Sequence, residues 1–426
     1  MGGAHAPGGP RLPDPSPHPA RLLALVALLT VLALLATQSA SAAPPAPLVQ
    51  LRGAPADVLR QSLAEGIEVR HYAVDGHAHP LARPGGLENV RAMMETALER
   101  DVDALVLTDH NSVRAGKHLR RIGPGPAPGG RPLLILGEEA GTRGGHVGLW
   151  SVSGRTRRDT RRQDGMAPVL ALLDAAAKRQ PRALTVLNHP AWKLGARWLR
   201  ARHFDPRQPG PKFDAFEIWN GRSMLRLSTR RVIGEWEGLL AEGARPSIVG
   251  SSDAHEAAHI GRPATVVLAT DLHPTALVAA VQAGRTYVTD DARVAFSVDG
   301  RLPGQILRQR GPTSVRIEIR GWSRRGGLLR LLDGRTAIVE RRVSPGPFQL
   351  ILRRRRLEAD SDGYLRVEIT RREMSGGKMG EVVGLVTAPV YVDVAPQDDF
   401  WAPPPAEWRR MQDRLELFPR VAQWSP

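Results

Sequence analysis

Two histidines one residue apart, His77 and His79, stand in the stretch VDGHAHP directly after an apolar run. Imidazole nitrogens bind transition-metal ions, but alternate residues of a straight strand point to opposite faces, so only a bend directs both to one ion. A single histidine near a strand end is more often a hydrogen-bonded structural residue than a ligand. The pair therefore predicts half of a metal site, whose other half must lie further along the chain.

Histidines and carboxylates recur at the ends of other apolar runs. The motifs TDHN, GEE, GGHV, NHP and SSDAH follow one another along the chain, each next to a predicted strand. In parallel α/β barrels the carboxyl ends of the strands converge on one face, so residues far apart in sequence meet there. The joint pattern predicts a single site, and its candidate members are His77, His79, Asp109, His110, Asn111, one of the glutamates Glu138 and Glu139, His146, His189, Asp253 and His255.

The 426-residue chain contains no cysteine, which excludes disulfides, thiolate zinc sites and cysteine nucleophiles. Imidazole and carboxylate ligands without sulfur suit Zn, Mn or Fe. One carboxylate can bridge two such ions, and the pair lowers the pKa of a bound water and polarises a substrate oxygen. The chemistry that these residue types predict is hydrolysis.

The formal net charge of +16 raises the alternative of a nucleic-acid partner and hence of a nuclease. The arginine clusters RTRRDTRR and RRRR lack interleaved aromatic residues, which favours solvated faces over a nucleic-acid groove. The arginine, alanine, proline and glycine excess also resembles the bias of a GC-rich genome. The partner that we expect is a small-molecule ester that carries negative charge, which the basic surface would attract.

The apolar run Leu22–Ala36 is about 15 residues long, short of the ~20 that a membrane-spanning helix needs. The small residues Ala40, Ser41 and Ala42 follow it and fit a signal-peptidase site. The pattern predicts a cleaved Sec signal peptide and a secreted or periplasmic protein without a stable membrane span. The alternative is an uncleaved segment that anchors the protein in the membrane.

Between Val69 and Thr289 short apolar runs alternate with helical patterns, which indicates βα units. Helices are predicted over Ala167–Arg179, Leu225–Gly243 and Pro274–Gly284, the last ending at a glycine. After Asp290 the helical periodicity disappears, and alternating runs separated by turns predict an all-β sandwich. The predicted organisation is a signal peptide (1–42), a linker (43–68), a barrel (69–290), a β-sandwich domain (291–396) and a C-terminal strap (397–426).

The ordered set DGHAH, TDHN, GEE with GHV, NHP, EIWNG and SSDAH resembles the polymerase and histidinol phosphatase (PHP) superfamily, in particular its secreted CehA/McbA-type branch. The resemblance covers roughly Tyr72 to Asp290. It implies a distorted (β/α)7 barrel followed by an Ig-like β-sandwich domain. Its motif of glycine, any residue and glutamate, with a histidine seven positions later, selects Glu139 over Glu138 as the ligand.

The resemblance also implies an assignment of ligands to two or three divalent ions. The first ion would be held by His77, His79, Glu139 and Asp253, the second by Glu139, His146 and His189, and the third by His110 and His255. Relatives commonly carry an Asp or His shortly after the HxH pair, whereas this chain has only PLARPGG there. Two ions are therefore better supported than three.

The leading hypothesis is a metal-dependent hydrolase in which a metal-bridging hydroxide attacks a phosphoester. His255 and Asp109 are its predicted catalytic residues, while Asn111 and Asn220 are predicted substrate contacts. A carbamate or carboxyl-ester hydrolase of the same family is the alternative reaction. A noncatalytic surface-binding protein on the same scaffold is the alternative class.

Overall fold

The computed structural model describes residues 59–122, 132–156, 165–191, 200–221, 229–309, 314–355, 362–375, 378–394 and 400–402. The predicted signal peptide, residues 43–58 of the linker and residues 403–426 of the strap lie outside these ranges. Within the described part of the chain, no helix combines the length and the apolar character needed to cross a bilayer.

Seven strands that are hydrogen-bonded in chain order form the curved sheet of the first region. They are β2 (Glu68–Ala78), β3 (Ala104–Leu107), β4 (Leu133–Gly141), β5 (His146–Trp150), β6 (Leu184–Asn188), β7 (Ala215–Asn220) and β8 (Ser247–Ser251), preceded by the short β1 (Arg60–Ser62). Strands β2, β3 and β4 are mutually parallel, as are β6, β7 and β8. Their apolar runs are buried on both faces, as expected for parallel strands covered by helices.

Five α-helices connect the strands of this region. They are α1 (Leu87–Glu99), α2 (Gly116–Ile122), α3 (Met166–Arg179), α4 (Thr229–Ala241) and α5 (Pro274–Gln282). Helix α1 buries one apolar face, formed by Val90, Met93 and Ala97 at helical spacing. Helices α3 and α5 fall within a residue or two of their predicted bounds. The predicted helix Leu225–Gly243 corresponds to α4, and its residues 225–228 lie outside the described ranges.

The βα units predicted from the sequence would make every strand parallel, but β5 and the two strands that follow β8 run antiparallel to their neighbours. Strand β5 is antiparallel to β4 and β6, because only four residues separate it from β4 and a parallel crossover needs a dozen or more. Strand β9 (Ala264–Ala269) is antiparallel to β2, and β10 (Thr286–Thr289) is antiparallel to β9. The sheet is therefore a distorted barrel.

Side chains close the barrel where no strand ladder joins β8 to β9 among the described residues. The hydroxyl of Thr265 accepts from Gly250 N at 2.9 Å and donates to Gly250 O at 2.8 Å. The hydroxyl of Thr286 donates to Ile248 O at 2.8 Å. Two threonines thus supply the hydrogen bonds that a neighbouring backbone would otherwise make.

The second region is an antiparallel β structure. Its strands are β11 (Ala292–Val298), β12 (Ile306–Arg308), β13 (Ser314–Ser323), β14 (Gly327–Asp333), β15 (Thr336–Val343), β16 (Gly346–Arg355), β17 (Gly363–Ser375), β18 (Lys378–Thr387) and β19 (Val390–Asp393). Strands β11, β13 and β16 form a three-stranded sheet, and the others join the large sheet. The predicted fold class, an α/β barrel followed by an all-β region, is confirmed.

The two regions share one sheet, because β10 pairs antiparallel with β18 through Tyr287↔Thr387 and Thr289↔Leu385. They also share an ion-pair cluster. The guanidinium of Arg366 on β17 is fully buried and donates to Glu368 at 2.5 Å and to Glu237 of α4. Because the guanidinium is buried, its charge must be matched within the protein, and these two carboxylates match it.

A buried histidine belongs to the seam between the regions. His71 on β2 contacts the Tyr287 hydroxyl through Nδ1 and Gln61 Oε1 through Nε2, both at 3.1 Å. Burial, assisted by the charge of Arg293, lowers the pKa of His71 from 6.5 to about 3. The unfolded chain therefore binds a proton between about pH 6.5 and pH 3 that the folded chain does not bind, and the stability that neutral His71 provides is lost as pH falls through this window.

We predict that His71→Gln makes the protein less sensitive to acid. Between pH 8 and pH 5 the free energy of unfolding of the wild type should fall by about 2 kcal/mol more than that of the variant. Urea unfolding at both pH values measures this double difference, with the exposed His259→Gln as the control that should follow the wild type. Equal pH dependence of wild type and His71→Gln would contradict the prediction.

Candidate metal centre

The predicted site residues meet at one end of the barrel. His77 lies in β2 and His79 directly after it, His110 follows β3, Glu139 lies in β4, His146 begins β5, His189 follows β6, and Asp253 and His255 follow β8. The antiparallel hairpin brings His146 to this face by its amino end, which is why Glu139 and His146 are near neighbours. Six strands therefore contribute to the centre.

Glu139 occupies the middle of the cluster. It is fully buried, and its carboxylate oxygens lie 3.4 Å or less from a nitrogen of five histidines. The distances are 3.2 Å to His77, 3.4 Å to His79, 2.7 Å to His110, 2.9 Å to His146 and 2.9 Å to His189. A carboxylate in this position has the contacts expected of a bridging ligand.

Asp253 is the second carboxylate of the cluster. Its Oδ1 lies 3.2 Å from His79 Nε2 and 3.7 Å from His77 Nε2. The predicted substrate contact Asn220 is buried and donates from Nδ2 to Asp253 Oδ2 at 3.3 Å and to Glu217 Oε2 at 3.2 Å. Asn220 therefore contacts the carboxylates of the centre.

Glu217 is a functional residue that sequence reasoning missed, although it begins the quoted motif EIWNG. It is buried on β7, where Oε1 accepts from His77 Nδ1 at 3.3 Å and Oε2 accepts from His189 N at 2.7 Å. A carboxylate behind a histidine fixes the tautomer and turns the other ring nitrogen toward the metal. Glu217 directs His77 Nε2 to the centre in this way.

Two further buried residues that sequence reasoning missed support the cluster. Asn188 donates from Nδ2 to Glu139 Oε1 at 3.1 Å. Asp75 is fully buried, and it accepts from Ser252 N at 3.1 Å through Oδ1 and from Gly261 N at 2.7 Å through Oδ2. Asp75, which precedes His77 by two residues, thereby holds both ends of the segment that carries Asp253 and His255.

Backbone strain is concentrated here. Asn111, His189 and Asp253 have φ values of 49°, 28° and 51°, a region that non-glycine residues adopt at a cost. Such conformations persist where the surroundings determine them, and they cluster at functional sites. In this protein all three residues lie in or beside the histidine cluster.

The protonation of the cluster reflects its charges. Burial would raise the pKa of Glu139, but the charges of His77 and His146 and the hydrogen bonds from His110 and His146 hold it well below its usual value. Burial likewise opposes a charge on His77, yet Glu139 and Asp253 raise its pKa well above 6.5. The centre thus pairs anionic carboxylates with a cationic imidazole, whose proton a bound metal cation would displace.

The residues fit divalent metal ions. Neither ring nitrogen of the buried His79 makes a hydrogen bond of good geometry, although Nε2 lies 3.2 Å from Asp253 Oδ1. This costly arrangement is one that a metal would relieve. Four groups of three ligand atoms lie within 4.8 Å of one another among the described residues. They are His77, His79 and Glu139; His77, His189 and Asp253; His110, Glu139 and His146; and His79, His110 and His255.

Other predicted residues take up positions around this cluster. The Asp109 carboxylate accepts from Leu81 N at 2.8 Å, and burial raises its pKa to about 6. Asn111 accepts from Gly141 N at 3.1 Å. Glu138, one residue before the central carboxylate, accepts from Thr156 N at 2.8 Å. Asp109, Asn111 and Glu138 thus each accept a hydrogen bond from a backbone N–H of another segment.

Residues 242–286 match a family model described as PHP-associated. This segment contains β8, the SSDAH motif, β9 and α5. No curated protein matches the chain. The match supports the PHP superfamily, and the His/Glu/Asp clusters fit a metal-dependent hydrolase.

Three solved structures resemble the chain weakly. A two-domain protein of Bacteroides vulgatus ATCC 8482 containing a predicted PHP-like metal-dependent phosphoesterase shares 15% identity, with 76% of this chain and 96% of that chain covered and a TM-score of 0.39. PsfC from Pseudomonas syringae PB-5123 shares 20% identity over 46% and 82%, with a TM-score of 0.35. A proposed metal-dependent phosphoesterase of Bifidobacterium adolescentis ATCC 15703 shares 14% over 45% and 91%, with a TM-score of 0.26. At such TM-scores these likenesses carry no argument about this chain.

We predict that Asp75→Asn weakens metal retention. The asparagine side chain has only one oxygen, so it can accept from Gly261 N or from Ser252 N but its NH2 group cannot accept from the other. One end of the segment that carries Asp253 would therefore be released. Metal affinity should fall by about tenfold or more, which elemental analysis after dialysis against graded chelator would measure.

Asp103→Asn provides the matched control. Asp103 also accepts a buried backbone bond, from Ala73 N at 2.7 Å, but it does not touch the segment that carries Asp253 and His255. This variant should retain metal as the wild type does. If Asp75→Asn retained metal equally well, Asp75 would have no part in positioning the ligands.

Proposed function

We propose that the protein is a secreted metal-dependent hydrolase of the PHP type, belonging to the CehA/McbA-type branch, that cleaves phosphoesters. The observation that carries the proposal is the buried Glu139 carboxylate in contact with five histidines. The motif order and the match over residues 242–286 agree with it. Secretion follows from the predicted signal peptide over residues 1–42.

Two ions are the occupancy that the ligand groups favour. His77, His79, Glu139 and Asp253 would hold one, and Glu139, His146 and His189 the other. The group of His79, His110 and His255 contains no carboxylate and shares His79 with the first ion. His110 and His255 are therefore not needed to hold two ions, and we assign them to contact with the substrate.

When bound, two divalent ions lower the pKa of a water and stabilise charge on the ester oxygens. The chain's own groups then position the substrate. The side chains of His110 and His255 are 46% and 27% exposed, whereas those of His77 and His79 are only 1% exposed, so the first two face the entrance. His255 Nδ1 donates to Asp253 O at 3.0 Å, which orients the ring, and in its doubly protonated form Nε2 carries the proton for a leaving group.

We predict about two tightly held ions per chain, with turnover dependent on them. His189→Ala should lose one ion and abolish turnover while the circular dichroism spectrum stays unchanged. Elemental analysis and a phosphoesterase assay measure the two effects. His259→Ala is the matched control, since His259 is exposed and belongs to none of the four ligand groups.

Other outcomes would contradict this assignment in distinct ways. Three tightly held ions would require a ligand beyond those assigned here. Turnover by His189→Ala would make the second ion dispensable. A wild-type protein that binds no metal would favour the noncatalytic surface-binding alternative.

The substrate class is tested separately. Paired ions suit in-line attack on phosphorus, and a basic surface attracts phosphate esters. The metal-loaded protein should cleave bis-p-nitrophenyl phosphate or p-nitrophenyl phosphate in preference to a naphthyl carbamate, and added salt should slow the reaction. Carbamate turnover with inert phosphoesters would instead identify the alternative reaction.

A further inference from the structure

A small cavity lies at the seam between the barrel and the β region, and it is not part of the histidine cluster. Its charged lining residues are Arg100, Asp290, Asp291, Arg293 and Arg324, and its volume of about 20 Å³ leaves room for one or two water-sized groups. The lining residues come from the end of α1, from β11 and from the turns beside β10 and β13. The cavity therefore exists only where the two regions meet.

The two acidic residues of the lining are already neutralised from outside it. Asp290 Oδ1 accepts from Arg371 at 2.5 Å, and its Oδ2 accepts from Arg325. Asp291 accepts from Arg371 at 2.8 Å and from Arg325 Nε at 3.0 Å. Each carboxylate oxygen thus has an arginine partner, and neither Arg100 nor Arg293 is among these partners.

Arg293 is a buried arginine of the lining that uses few of its hydrogen-bond donors. Its side chain is buried, with 5% exposure of the residue, and the hydrogen bond that it donates is from Nη1 to the neighbouring Ala292 O at 3.4 Å. A guanidinium carries five N–H donors. A buried cation with most of its donors unused costs several kcal/mol unless an anion or ordered water meets it.

Arg100 adds a second cation without a carboxylate partner among the described residues. Its Nη1 donates to Ile260 O at 2.5 Å. Burial, and after it the charge of nearby Arg262, lowers the pKa of Arg100 to about 10. Arg100 and Arg293 thus face one cavity with only backbone carbonyl oxygens as partners.

We propose that this cavity is a binding site for a small monovalent anion of the size of chloride. The space for one or two water-sized groups matches an ion of this size, and guanidinium groups are weakly hydrated cations that bind anions readily. Water alone would fill the space but would add no negative charge beside the two guanidinium groups. The site is independent of the proposed hydrolase function, because no metal ligand lines the cavity.

The location links the anion to the segment that carries Asp253 and His255. Gly261 lines the cavity and donates its N–H to Asp75 Oδ2 at 2.7 Å. An anion beside Arg293 and Arg100 therefore stabilises the seam at the far end of that segment. The measurable effect is on the stability of the full chain.

The test compares chloride with gluconate, an anion too large for the cavity, at constant ionic strength. In the full-length wild type, chloride should raise Tm in a saturable manner by about 2 °C or more. Arg293→Met should lose this chloride dependence. Arg70→Met is the matched control, because Arg70 is an exposed arginine that pairs with Glu68, and it should respond as the wild type does.

Crystals grown in bromide provide a second measurement and should give an anomalous peak in the cavity beside Arg293. If Arg293→Met does not fold, Arg100→Met takes its place in the thermal series. A wild-type Tm that is equal in chloride and gluconate would overturn the proposal. So would an unchanged chloride response in the variant, or a cavity without bromide density.

Discussion

The burial of the Glu139 carboxylate is the constraint on which the arrangement of this molecule depends. A buried carboxylate is tolerated only when cations or hydrogen-bond donors surround it, and here five imidazoles and the amide of Asn188 do so. No short segment of chain can supply so many groups around one carboxyl. The barrel solves the problem, because its strands deliver one or two groups each to a common face.

A layer of buried acidic groups behind the imidazoles fixes their directions. Glu217 contacts the ring of His77 and the backbone of His189, and Asp75 holds Ser252 and Gly261. Preorganisation of this kind prevents the histidines from relaxing into better hydrogen bonds of their own. The positive φ values of His189 and Asp253 are tolerated because these contacts determine the local backbone.

The sequence predicts the meeting of the eight candidate ligands well, because each follows or begins an apolar run and strand ends converge in a barrel. It predicts the supporting residues poorly. Asp75 and Glu217 act on backbone groups of distant segments, and no local spacing reveals such partners. The antiparallel direction of β5 was readable in principle, since four residues between β4 and β5 are too few for a crossover. The pairing of β10 with β18 joins residues about 100 positions apart and has no local signal.

The pairing of β10 with β18 also covers an edge of the barrel sheet. Without β18, strand β10 would present an open row of N–H and C=O groups, and such edges recruit strands of other molecules into aggregates. The β region covers this edge of the barrel, because β18 occupies the hydrogen-bonding groups of β10. A chain that ended after Thr289 would lose this cover and expose the edge of β10.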